Sequence, residues 1–122
     1  MKKEIIVIGG GPAGIISAIS AKHNNPKKKV LLIKSVGDGV VPCGIPYMFK
    51  TLKSCDENAL GNAPLQKNKI DILVNEVVAI NKNKKEITLS NKKKLLYEKL
   101  ILATGSQPIL PPIQGIDLQG VY

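Results

Sequence analysis

Apolar residues in this chain come in short unbroken runs divided by glycine, proline, asparagine and lysine. Unbroken runs of this length suit strands covered on both faces, whereas half-exposed strands alternate. Ile5-Ile6-Val7-Ile8 is the first, and Gly9-Gly10-Gly11-Pro12-Ala13-Gly14 follows at once. Ile15, Ile16, Ala18, Ile19 and Ala21 then recur at helical spacing until Asn24-Asn25-Pro26 stops the pattern. Val30-Leu31-Leu32-Ile33 is a second buried-type run. Strand, glycine turn, helix and parallel strand make a βαβ unit.

From Ser35 to Leu60 the pattern loosens into a loop, with a helix expected at about Pro46–Lys53. Ile70 to Val74 reads as a third strand of the parallel layer. Val77–Ile80 and Glu86–Leu89 flank a lysine-asparagine turn, which predicts a hairpin or small antiparallel meander. A further strand is expected to begin near Leu95, and Leu100–Ala103 to form a last short buried strand. Pro108, Pro111 and Pro112 then require an extended, exposed connection. The expected class is α/β: a parallel sheet with an inserted antiparallel meander.

Composition narrows the function. The 122 residues carry a formal charge of +9, yet every basic residue is lysine and the aromatics are Tyr47, Phe49, Tyr97 and Tyr122. Base readout favours arginine, and stacking platforms need more rings. The lysines gather at expected turns, so no nucleic-acid partner is expected. No apolar run reaches the roughly 18–20 residues that span a bilayer, and the start lacks a secretory pattern. The expectation is a cytoplasmic protein with Cys43 and Cys55 reduced. His23 reads as a surface residue, and no metal-ligand cluster is visible.

Gly9, Gly11 and Gly14 form G-x-G-x-x-G between a strand and a helix. In that context the first glycine serves the tight turn, the second lets a pyrophosphate approach backbone, and the third lets helix and sheet pack closely. Pro12 and Ala13 open the helix, whose free N–H groups favour phosphate. The acidic residue that usually takes ribose hydroxyls after the second strand is Lys34 here. A lysine suits a 2′-phosphate, or can lie along the adenosine; Asp38 is placed to reach back as a substitute. Position alone leaves FAD and NADP both open.

The segment "YEKLILATGSQPILPPIQG", residues 97–115, resembles the Ala-Thr-Gly stretch of pyridine nucleotide–disulfide oxidoreductases, flavoproteins with two dinucleotide-binding domains. With "IIVIGGGPAG" and the "NEVVAINKNKKEITL" hairpin, the resemblance covers nearly the whole chain. It implies a Rossmann-like FAD-binding domain, of which residues 1–122 would be the N-terminal part of a longer chain. It further implies NAD(P)H as electron donor and a homodimer at full length. Lys34 would lie at the adenosine ribose, Val78 would place backbone at the adenine, and Ala103, Thr104 and Gly105 would pass near the cofactor. The fragment alone is expected to bind FAD weakly or not at all and to turn nothing over.

Within that family "PCGIPY" resembles the single-cysteine branch of coenzyme A-disulfide reductases, NADH oxidases and peroxidases. Pro42 stands where a polar residue often precedes the cysteine. Cys43 is thereby implied as the catalytic thiol, at the start of a helix beside the flavin, where the helix end favours thiolate. Electrons would pass from NAD(P)H through FAD and Cys43 to a disulfide, polysulfide, peroxide or oxygen. Gly44 permits close approach, Pro46 suits a first helical turn, and Cys55 has no such setting. The alternative is a stand-alone NADP or other dinucleotide-binding module without catalysis.

Overall fold

The computed structural model describes residues 2–107 and 109–120; Pro108 and Tyr122, both noted above, lie outside them. A six-stranded sheet forms the body, built from β1 (Lys2–Ile8), β2 (Val30–Lys34), β5 (Asp71–Val74), β6 (Val77–Asn81), β7 (Glu86–Leu89) and β8 (Lys94–Leu102). A separate pair, β3 (Gly39–Val40) and β4 (Ala59–Leu60), sits in the connecting lobe. Strand order in the main sheet is β5-β2-β1-β8-β7-β6. The first four run parallel, and β7 and β6 extend the sheet antiparallel.

The unbroken apolar runs behave as their composition requires. On one face, Ile5, Val7, Val30 and Leu32 pack beneath Ile15 and Ala18 of helix α1 (Pro12–Asn24), with Leu65 of the short helix α2 (Ala63–Lys67) beside them. On the other face, Ile6, Ile8, Leu31 and Ile33 lie against Ile87, Leu89 and Tyr97 of the meander. β1 and β2 are therefore covered twice, and alternation would have exposed half of them. Of the helical apolar set, Ile15 and Ala18 are buried while Ile16 faces outward.

Two expectations are corrected. The strands foreseen near Leu95 and at Leu100–Ala103 are one strand, β8, which pairs antiparallel with β7 at its start and parallel with β1 from Leu96 to Leu102. Glu98 and Lys99 look like a break in the apolar pattern, but Glu98 pairs with Lys28 of the α1–β2 connection at 2.6 Å. Leu102 at the end of this strand is exposed rather than buried.

The helix expected at Pro46–Lys53 is a 3₁₀ helix over Pro42–Phe49. Pro46 has no N–H to bond the carbonyl of Pro42, and its ring would crowd that carbonyl in an α-helix. The tighter 3₁₀ winding tolerates it. A second 3₁₀ helix, Cys55–Asn58, completes the lobe.

Candidate functional site

β1 sits where the order of the parallel strands reverses: β2 and β5 lie on one side of it, and β8, last in the chain, on the other. In open α/β sheets ligands bind outside the carboxyl ends of strands at such a reversal. A cleft of ≈ 520 Å³ opens there, lined by the ends of β1, β2 and β8, the β5–β6 junction and the lobe. That volume lies within the usual range for small-molecule sites.

The glycine turn forms the floor. Gly9 N–H donates to the Ile33 carbonyl and Ala103 N–H to the Ile8 carbonyl, each at 2.8 Å, so the turn is tied to both neighbouring strands. Gly9 has φ of +120°, and a Cβ on it would run into the Ala103 carbonyl. A Cβ on Gly14 would strike the Gly9 carbonyl group, 2.9 Å from its carbon. Ala103, Gly9 and Gly14 thus stack backbone on backbone, drawing the helix start down onto the sheet. Gly11 differs: no protein atom lies within 4 Å of where its Cβ would project. It caps α1 in extended conformation and lines the open cleft. The first N–H groups of a helix have no intrahelical acceptor. A phosphate there meets donors without meeting a side chain.

Lys34 ends β2 at the cleft wall and is only 6% exposed. Its stem crosses Gly10, where a Cβ would lie 2.6 Å from the Lys34 Cβ. Its ammonium donates to Asn62 Oδ1 at 2.7 Å. Asn62 Nδ2 in turn reaches Asp38 Oδ1 at 3.4 Å. The lysine is therefore a packed, anchored side chain rather than a free arm, and Asp38 joins it through Asn62.

The other residues singled out from sequence divide by place. Gly9, Gly11, Pro12, Lys34, Ala103, Thr104 and Gly105 line one cleft. Gly14 is buried below it, and Ala13 lies outside the lining, exposed on the first turn of α1. Val78 is not brought to the cleft. It is the extra residue of a bulge between Val77 and Ala79, it faces outward, and Val77 lines the cleft instead. Cys43 lies in the first turn of the Pro42–Phe49 helix, exposed, next to Pro42 on the cleft wall. Cys55 is also an exposed free thiol. His23 Nε2–H donates one bond, to Asn68 Oδ1 at 2.8 Å, and neither residue lines the cleft.

Several lining residues escaped the sequence reading: Gly10, Ser35, Asn75 and Glu76 among them. Asn75 and Glu76 follow Val74 directly, so the rule that ligands sit at strand ends carried the signal. Asn75 N–H donates to the Lys34 carbonyl at 2.9 Å, which closes that end of the cleft. Among the described residues, no cluster of three or more His, Cys, Asp or Glu is placed to hold a metal ion. No helix among them is long and apolar enough to cross a membrane.

Residues 3–122 match the model of the pyridine nucleotide-disulphide oxidoreductase family. The chain belongs to that family. An NADH oxidase of Methanocaldococcus jannaschii is 35% identical over 126 aligned residues, spanning 96% of this chain and 28% of the relative. An NAD(P)H coenzyme A polysulfide/persulfide reductase of Pyrococcus horikoshii is 30% identical, spanning 100% of this chain and again 28% of the relative. Among solved structures, an NAD-dependent persulfide reductase from A. fulgidus superposes with a TM-score of 0.80 at 27% identity, covering 98% of this chain and 24% of that one. The names of these relatives specify NADH, NAD(P)H or NAD, and the chain spans 24–28% of their length.

Proposed function

We propose that this chain forms the first part of the FAD-binding domain of an NAD(P)H-dependent oxidoreductase that acts in the cytoplasm on a small sulfur or oxygen acceptor. The observation that carries the reading is the glycine turn: Gly9 and Gly14 are closed by backbone contacts, and Gly11 alone is left open toward the cleft. That arrangement suits a pyrophosphate, which needs donors and clearance together. The match to relatives whose names include NADH oxidase and polysulfide/persulfide reductase supports the proposed reaction class.

FAD, when bound, supplies a two-electron carrier between NAD(P)H and the acceptor. The chain's own residues do the rest. Gly11, Pro12 and the first turn of α1 receive the pyrophosphate, while Lys34 and the Asn75–Val77 backbone border the adenosine end. Ala103, Thr104 and Gly105 carry small side chains where backbone must pass the cofactor. Cys43, as thiolate, attacks one sulfur of a disulfide or polysulfide and releases the other fragment as a thiolate or shorter polysulfide. With a peroxide it takes one oxygen to become sulfenic acid and releases hydroxide or alkoxide, which leaves as water or alcohol. Two electrons, originating in NAD(P)H, and two protons then restore the thiol, releasing the bound fragment as a thiol or shorter polysulfide in the first case and the oxygen as water in the second.

The test is the holoprotein with Cys43→Ser. Expected are a yellow preparation, flavin reduction by NADH at the wild-type rate, and loss of polysulfide reduction. A colourless protein that retains NADP would overturn the FAD assignment and favour a binding module. Full polysulfide turnover by Cys43→Ser would overturn the thiol's role.

A further inference from the structure

We propose that Asn58 is the positioning residue for the Cys43 thiol, a role that rests on reading Cys43 as the redox thiol. The 3₁₀ helix that carries Cys43 buries none of its own side chains. Its eight residues also exceed the three or four that such hydrogen bonding normally sustains. Apolar burial therefore does not fix this segment, and something else must.

Asn58 ends the second 3₁₀ helix and is 5% exposed. Its Nδ2 donates to the Val41 carbonyl at 3.1 Å and to the Met48 sulfur at 3.1 Å. One carboxamide thus ties the start of the Cys43 segment to its far end. The Asn58 backbone carbonyl accepts from Val41 N–H at 3.0 Å, which adds a second tie at the start. Gly44, the neighbour of Cys43, presses on the same carboxamide: a Cβ there would lie 2.7 Å from Asn58 Cγ and would overlap Oδ1. Glycine at 44 is the shape complement of asparagine at 58. Val41, Gly44 and Met48 therefore all bear on Asn58, and Cys43 lies among them.

The experiment uses the flavin-loaded protein and three variants. Asn58→Ala removes the donor. Asn58→Asp keeps the shape but sets an acceptor-only carboxylate against the Val41 carbonyl. Gly44→Ala forces the collision from the other side. Each is expected to lower NADH-driven polysulfide reduction by ~10²-fold, the scale of a misplacement of about 1 Å. NADH reduction of the flavin should stay at the wild-type rate. Each should also shift the pH profile of Cys43 alkylation by iodoacetamide, read by mass spectrometry against an added peptide thiol.

In the double variant Gly44→Ala/Asn58→Ala the methyl fills the space that the amide leaves, so the losses should be smaller than their sum. Should Asn58→Ala fail to fold, Gly44→Ala and the double variant carry the same test. Unchanged alkylation and turnover in Asn58→Asp and Gly44→Ala, with Cys43→Ser inactive, would overturn the positioning role and leave the thiol reading standing. If Cys43→Ser proves fully active, the thiol reading falls. A shifted alkylation profile then still supports Asn58's hold on the segment, and an unshifted one overturns it.

Discussion

Gly11→Ala and Gly14→Ala should separate cofactor binding from folding, although both add one methyl to the same turn. At Gly14 the change brings up to about 1 kcal/mol of helix propensity. Against it stands a Cβ inside contact distance of the Gly9 carbonyl, which is backbone in a turn tied to β2 by the Gly9 N–H and to Ala103 by the Ile8 carbonyl. Overpacking of that kind costs about 1–3 kcal/mol. The turn cannot yield without breaking the Gly9–Ile33 bond, so the upper part of that range applies and the net loss is about 1–2 kcal/mol.

At Gly11 the added methyl meets no protein atom, and the extended backbone accepts alanine. The weaker cap costs under about 1 kcal/mol, and the lost freedom of the unfolded chain returns a similar amount. Stability should hardly move. The methyl does project into the cleft where the pyrophosphate is proposed to lie, and one lost bond to a charged oxygen is worth about 1.5–3 kcal/mol. FAD affinity should fall by ~10- to 150-fold. Urea unfolding of the apoprotein and titration of FAD fluorescence measure the two effects. The reasoning fails if Gly11→Ala shifts the urea midpoint as far as Gly14→Ala does, or if it binds FAD as tightly as the parent.

Two further outcomes follow from side chains near the sheet. The hydrogen bond from Lys28 to Glu98, opposed by partial burial and aided by the charges of Glu98 and Glu4, raises the Lys28 pKa above its ordinary 10.5. A raised lysine stabilises the fold fully below its unfolded pKa and loses that contribution as pH climbs through the folded value. The difference in urea midpoint between the parent and Lys28→Met should therefore be steady at lower pH and shrink as pH climbs above about 10.5. A constant difference would refute the pairing. At Lys34, the stem packed over Gly10 matters for stability more than the charge. Lys34→Met should change unfolding free energy by under ~1.5 kcal/mol and Lys34→Ala by about 2–3 kcal/mol; equal losses would show that the ammonium dominates.

The βαβ unit was legible because its apolar runs, glycine spacing and stop signal agree with one another. The hairpin was legible for the same reason. β8 was not, because Glu98 and Lys99 interrupt its pattern and only tertiary pairing with Lys28 and β1 makes it continuous. The 3₁₀ helix was displaced by four residues because Pro42, rather than Pro46, occupies its first position. Asn58 was invisible: within "CDEN" it reads as a solvated turn residue, and its burial exists only because Gly44 leaves room. The anchoring of Lys34 likewise depends on Asn62, far along the chain and outside any local pattern.

The pairing of β1 with β8 sets an order of events during synthesis. Ile5 to Ile8 leave the ribosome first, yet their partners Lys99 to Leu102 come more than ninety residues later. At 5–20 residues per second, the first strand waits about 5–20 s with one edge open. Four consecutive β-branched residues on an open edge are a template for stray pairing. Ala103, which locks the glycine turn, arrives later still, so the cleft at the ends of these strands is among the last parts of this sheet to exist. A nascent chain of this protein is expected to lean on chaperones until residue 103 is free, and the proposed FAD site is incomplete before then.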